Sequence, residues 1–180
     1  MYPAIFLDRD GVIIENQPAY VRSWADVIIY PEALTALAGI SDGPYKIVIV
    51  TNQSVVGRGI ISLDAAQAIN ERLVNEIAGA NGRIDKVYIC PHAPEAQCNC
   101  RKPKPGLLLQ ACQELSLDLS RSIMIGDALT DLQAGQAAGV ARTALVLSGR
   151  GAVQMSLPEA AKIRPLLTYN SLADALAEIN

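Results

Sequence analysis

Ala4-Ile5-Phe6-Leu7-Asp8-Arg9-Asp10-Gly11 is the stretch on which the reading of the fold turns. Four apolar residues in a row stop at an aspartate, and a second aspartate and a glycine follow. A short apolar run ended by polar residues reads as a strand covered on both faces. Gly11 lets the backbone turn away from it. The pattern recurs downstream: Lys46 to Val50 is β-branched and nearly continuous, Lys86 to Cys90 is similar, and Ser122 to Ile125 ends at Gly126-Asp127. Thr143 to Leu147 and a weaker segment near Leu167 complete the set. Helical patterns fill the gaps. Pro31 to Ile40 has proline in its first turn. After Ser62, a capping residue, Leu63, Ala66, Ile69, Leu73, Val74 and Ile77 recur near a 3.6 period. Leu107 to Leu115, Thr130 to Ala138 with Gly139 past its end, and Leu172 to Ile179 behind Ser171 follow. Strands alternating with helices predict an α/β fold with a mainly parallel sheet. No repeat or linker interrupts it, so residues 1–180 are expected to form one domain. Asn16 to Asp26 is too short for a large inserted cap domain, and Gly57 to Lys86 reads as one crossover helix.

Composition supports a packed, enzyme-sized core. Of 180 residues, 51 % are apolar and 18 % charged, which excludes a disordered tail. Only 4 % are aromatic, so Ile, Val, Leu and Ala must build the interior. A net charge of −3 argues against a nucleic-acid partner. No run approaches the roughly 18 apolar residues of a membrane span, and the first residues lack a signal-peptide pattern. The expected location is the cytoplasm, where four cysteines stay reduced and serve as thiols or metal ligands. A monomer without membrane or nucleic-acid partners is expected.

In parallel α/β folds, ligands bind beyond the carboxyl ends of the strands. Three such ends carry polar groups: Asp8-Arg9-Asp10, Thr51-Asn52-Gln53-Ser54 and Gly126-Asp127. One carboxylate of an Asp-x-Asp pair can act as a nucleophile while its neighbour handles protons. Asp127 can complete an oxygen-rich site for a hard cation such as Mg²⁺. The hydroxyl of Thr51 and the charge of Lys102 suit a phosphoryl group. An isolated Asp-x-Asp-Gly is more often a solvated loop. Four matching elements in order, each at a strand end or loop, reverse that balance.

Cys90-Pro91-His92 and Cys98-Asn99-Cys100 form C-x-H-x5-C-x-C and use the only histidine of the chain. Three thiolates with one imidazole suit a closed, structural, tetrahedral Zn²⁺ site. The alternative is a set of reduced loop cysteines without metal. Arg101-Lys102 follow the last ligand, so a zinc loop at 90–100 would aim both cations at the pocket. Cys112 reads as a small core residue and Trp24 as packing.

These residues resemble the haloacid dehalogenase superfamily of phosphotransferases. Phe6 to Ile13 is similar to its first motif and Thr51 to its second. Lys102-Pro103-Lys104-Pro105 resembles its third, and Gly126-Asp127-Ala128-Leu129-Thr130-Asp131 its fourth. The resemblance spans about residues 4–147. It implies a Rossmann-like three-layer sandwich and Mg²⁺-dependent phosphate transfer through an aspartyl-phosphate. Asp8 would be the nucleophile and Asp10 the general acid and base. Asp8, the backbone carbonyl of Asp10 and Asp127 would hold Mg²⁺. Thr51 and Lys102 would bind the phosphoryl oxygens. Asp131 would orient neighbours or cap the helix at Thr130 rather than bind metal.

Within the superfamily, the zinc loop resembles two subgroups, the D-glycero-D-manno-heptose 1,7-bisphosphate 7-phosphatases and the histidinol-phosphate phosphatases. Thr51 to Gly59, Tyr20-Val21 and Asp131 to Val140 favour the heptose group. The five-residue spacer between His92 and Cys98 resembles the other. The implied substrate is a small phosphorylated sugar, with Arg9, Asn16, Tyr20, Asn52, Gln53, Ser54 and Arg101 as its binding residues. Arg58 is a further candidate for that wall. The rival from another class is a phosphosugar-binding module without catalysis, which loss of Asp8 or Asp10 would have favoured.

Overall fold

The computed structural model describes residues 1–179. Its strands are β1 (Ala4–Leu7), β2 (Lys46–Asn52), β3 (Lys86–Cys90), β4 (Ile123–Gly126), β5 (Arg142–Val146) and β6 (Leu167–Tyr169). Its helices are α1 (Pro31–Gly39), α2 (Ser54–Gly57), α3 (Leu63–Gly79), α4 (Gly106–Leu115), α5 (Leu129–Ala138), α6 (Gly151–Met155) and α7 (Leu172–Ala177). All strand pairs are parallel, in the order β3-β2-β1-β4-β5-β6. This is the doubly wound order, whose direction reverses between β1 and β4 and opens a crevice there.

Alternation along the strands sorts the core into two faces. Ile5, Leu7, Ile47, Ile49, Ile123 and Ile125 pack with α1, α3 and α7. Ala4, Phe6, Val48, Val50 and Met124 pack with α4 and α5 on the other face. The result is the expected three-layer sandwich. β1 is buried along its whole length because it lies at the centre of the sheet with both faces covered. Only a short 3-10 turn (Trp24–Asp26) and α1 lie between β1 and β2, and only α2 and α3 between β2 and β3, so no cap domain is inserted there.

The expected helix caps form. The Ser62 side chain accepts from the Ala65 N–H, and Ser171 accepts from Asp174. Gly139 ends α5 at a φ of +83°. The differences lie at chain reversals. β2 runs on to Asn52, which puts Thr51 inside the strand, and α2 and α6 are short turns with too few apolar residues to show a period. Cys112 is half-buried, its thiol donating to the Leu117 carbonyl, and Trp24 packs at the core edge with Arg72 over its ring.

Candidate active site

The loops after β1, β2, β4 and β5 converge on the crevice. Asp8 leaves the end of β1 buried, its N–H bonded to the Ile125 carbonyl of neighbouring β4. Lys102, itself 3 % exposed, reaches between two carboxylates. Its Nζ lies 2.9 Å from Asp8 Oδ1 and 2.7 Å from Asp131 Oδ1, and it donates to the Val50 carbonyl at 2.8 Å. Burial pushes the Asp8 carboxyl up to about 7. Lys102 opposes that rise, while Asp131, Asp127 and Asp10 add to it.

Asp131 works twice. Its Oδ2 accepts from the Ala128 N–H at the start of α5, and its Oδ1 holds Lys102. The expected orienting and capping roles are thus both seen in its contacts. Carboxylate oxygens of Asp8, Asp127 and Asp131 lie within 4.8 Å of one another. That spacing, the complete burial of Asp127 and the elevated Asp8 fit a hard divalent cation. The Asp10 carboxylate lines the cavity but stands apart from this acidic group. It accepts from Gln53 Nε2 at 2.9 Å and from the Arg9 guanidinium, which leaves its backbone carbonyl as the group available to a metal.

Gly11 is required by this geometry. It sits at a φ of +82°, and a Cβ there would come within 2.1 Å of Asp127 Oδ2 and 2.4 Å of Asn16 Nδ2. The Ser148 hydroxyl donates to the Gly11 carbonyl at 2.7 Å and ties the loop after β5 to the loop after β1.

The expected binding residues separate into two groups. Asn16, Tyr20, Ser54, Arg58 and Arg101 line the cavity of about 580 Å³ above Asp8. Asn16 donates to Asp127 Oδ2 at 2.5 Å, and Arg101 donates to the His92 carbonyl at 3.2 Å. The others are turned to the scaffold. Arg9, expected to bind substrate, is 1 % exposed and faces inward, where Asp10 and Asn70 take its donors. Asn52 reaches the cavity wall, but its amide is engaged with the backbone of Lys102, donating to the carbonyl and accepting from the N–H. Gln53 also borders the cavity, but its Nε2 is spent on Asp10 and on the Thr51 hydroxyl. Thr51 is fully buried, and because its oxygen accepts from Gln53, its own hydroxyl hydrogen is left to donate.

Arg150 is the site residue that sequence reasoning missed. Its backbone N–H and Nε bond Asp127 Oδ2 at 2.9 and 3.2 Å, and Nη2 bonds Oδ1 at 3.0 Å. The strand-end rule, applied to β5 as well, would have pointed to Ser148-Gly149-Arg150.

The cysteine loop closes beside Lys102. The Sγ atoms of Cys90, Cys98 and Cys100 are 3.2–3.6 Å apart, and His92 Nδ1 lies 3.3 Å from Cys100 and 3.7 Å from Cys90. With Zn–S bonds of about 2.3 Å, a tetrahedron has edges of about 3.8 Å, so the four groups fit zinc with slight expansion. Burial pushes the Cys90 thiol up to about 12. At Cys98, hydrogen bonds from Cys100 and the Arg101 N–H outweigh burial and bring the thiol down to about 7.

Paired aspartates, a buried lysine and an acidic cluster at the switch point of a doubly wound sheet define a haloacid dehalogenase-like hydrolase. The HAD-hydrolase-like family model matches residues 99–175. The chain is 38 % identical to the D-glycero-beta-D-manno-heptose-1,7-bisphosphate 7-phosphatase of Photorhabdus laumondii, over 96 % of this chain and 92 % of that one. It is 36 % identical to the protein of that name from Bordetella bronchiseptica, over 88 % and 90 %. The crystal structure of D,D-heptose 1,7-bisphosphate phosphatase from B. bronchiseptica, complexed with magnesium and phosphate, superposes with a TM-score of 0.89. The two share 32 % identity over 98 % of this chain and 97 % of that one. The chain belongs to the D-glycero-beta-D-manno-heptose-1,7-bisphosphate 7-phosphatase family.

Proposed function

We propose that this chain hydrolyses the 7-phosphate of D-glycero-D-manno-heptose 1,7-bisphosphate and leaves the 1-phosphate in place. The observation that carries the reading is the convergence of Asp8, Asp10, Lys102 and Asp127 on one crevice, in a chain whose relatives bear that activity in their names. An oxygen of Asp8 attacks phosphorus while the bond from phosphorus to the sugar oxygen breaks. The leaving oxygen keeps the electron pair and takes the proton of Asp10. Asp10 then removes a proton from water, the water oxygen attacks phosphorus, and the bond to Asp8 breaks. Phosphate departs with both carboxyls restored.

A dianionic substrate must approach an anionic nucleophile. Lys102 holds positive charge against Asp8 in a dry site, where it acts strongly. Mg²⁺ held by Asp8, the Asp10 carbonyl and Asp127 would neutralise the remaining charge and polarise the phosphoryl group. Zn²⁺ held by Cys90, His92, Cys98 and Cys100 would fix the loop that presents Arg101 and Lys102. The second phosphate needs a cation away from this cluster. Arg101 and Arg58 stand on the cavity wall, and a guanidinium can bind phosphate or vicinal hydroxyls with two parallel hydrogen bonds. The whole chain acts as one domain and a cytoplasmic monomer on this soluble phosphosugar. Among the described residues, no helix is long and apolar enough to cross a membrane.

Steady-state phosphate release from heptose bisphosphates, hexose bisphosphates and histidinol phosphate tests the reading. The heptose bisphosphate should have the highest kcat/KM, and a higher value for histidinol phosphate would overturn the assignment. Asp8→Asn should abolish turnover while keeping the fold. Arg101→Ala should cut kcat/KM strongly for the bisphosphate and little for a small monophosphate, because only remote binding energy is lost.

A further inference from the structure

α3 carries an anomaly on its inward face. Ala66, Ile69, Leu73 and Ile77 are buried there as expected, yet Asn70 stands among them, only 3 % exposed. Its Nδ2 is buried without a hydrogen-bond partner. A buried, unpaired amide donor is costly, and leucine would suit the helix better. The other end of the amide explains its presence. Asn70 Oδ1 accepts from Arg9 Nη1 at 2.8 Å.

Arg9 is a buried guanidinium, and its remaining nitrogens grip Asp10. Nε lies 3.2 Å from Asp10 Oδ2, and Nη2 lies 3.0 Å from each carboxylate oxygen. On its other side Asp10 accepts from Gln53 at 2.9 Å. Arg9 and Asp10 are neighbours in sequence, so their ion pair alone ties neither of them to the scaffold. Gln53 anchors one side of the Asp10 carboxylate, and the guanidinium side needs an anchor of its own. Among the described contacts of the Arg9 guanidinium, Asn70 is the one that comes from another element, 61 residues away on a helix packed against the sheet.

We infer that Asn70 is a positioning residue for Asp10, acting through Arg9, so that α3 sets the aim of the acid–base carboxylate relative to Asp8. The inference rests on the phosphatase reading above. Asn70 neither lines the cavity above Asp8 nor belongs to the acidic group. It fixes the plane of the Arg9 guanidinium, whose paired donors hold the Asp10 carboxylate in one orientation.

The discriminating measurement is the dependence on leaving group. A sugar alkoxide cannot depart without a proton from Asp10, whereas para-nitrophenolate departs as a stable anion. Asn70→Leu keeps the branched heavy-atom shape and removes the acceptor, and Asn70→Asp keeps the shape and the acceptor. With the sugar phosphate, Asn70→Leu should lower kcat about tenfold at unchanged KM, and Asn70→Asp should stay within about twofold of wild type. With para-nitrophenyl phosphate and enzyme in excess, first-turnover phenolate release should change less than about twofold in both variants. Asn70→Ala carries the same expectation as Asn70→Leu and covers the case in which leucine is not accommodated. Equal losses on both substrates, or no loss on the sugar phosphate, would overturn the positioning role alone. No turnover of any phosphate monoester by the wild-type chain would bring down the phosphatase reading and this inference with it.

Discussion

Buried charge governs the single-residue behaviour of this site. Lys102 is enclosed with Asp8, Asp131 and the Val50 carbonyl, so it has no solvent to fall back on. Removing one partner from such a cluster leaves the others charged and dry, at a cost of about 3–5 kcal/mol. Lys102→Met should therefore lose turnover and also lose about that much stability, read from urea unfolding. A fully active or equally stable variant would contradict the geometry. The identity of these groups was legible in the sequence, because aspartates and a lysine at strand ends and loops serve chemistry more readily than packing. The inward turn of Arg9 was not legible. An arginine between two strand-end aspartates looks like a ligand for an anion, and only the distant Asn70 shows that its donors are taken.

Single elements hold two further tests. The loop from Cys90 to Cys100 has little apolar surface of its own, and its three thiols and one imidazole cluster at a spacing that a metal ion could bridge. Protein purified without added metal should contain one zinc per chain, and Cys98→Ser should lose it and melt earlier. Each kcal/mol lost lowers the Tm of a chain this size by about 2–4 °C. Elemental analysis with thermal melts checks both, and a zinc-free wild type of equal stability would count against the structural role. At the edge of the sheet, Glu114 on α4 holds Lys86 and Tyr88 of β3 together with Gln110. The Lys86 ammonium first, then Gln110 and Tyr88, bring its carboxyl from 4.5 down to about 2. A carboxyl lowered by folding stabilises above its unfolded value, and that contribution is lost as pH falls through the folded value. The Tm difference between wild type and Glu114→Gln should shrink as pH is lowered from 4.5 towards 2. Parallel curves would show that this cluster contributes nothing. The elements themselves were largely readable from period and β-branching. The short α2 and α6 were not, since a single turn is too brief to show a period.

Over the whole molecule, ligand binding and folding are linked. The carboxylates of Asp8, after β1, and Asp127, after β4, meet only in the folded chain, so a cation bound between them would stabilise the fold. Mg²⁺ at about one hundred times its Kd should add about 2.7 kcal/mol, seen as a rise in Tm. Asp127→Asn should flatten that response while zinc content stays unchanged. An equal Mg²⁺ shift in the variant would place the cation elsewhere.

The sequence alone determined the strand–helix alternation and the types of side chain at the candidate metal sites, because hydrophobic period and side-chain chemistry are local properties. It also marked the ends of β1 and β2 as the places where polar groups gather, through polar residues at the ends of apolar runs. Only the tertiary structure decided where each cation goes: Lys102 between Asp8 and Asp131, Arg9 turned inward to the Asn70 amide, and Arg150 on Asp127. The physical reason is that the cost of a buried charge depends on distances between segments remote in sequence and on how completely water is excluded, and neither is written in local spacing.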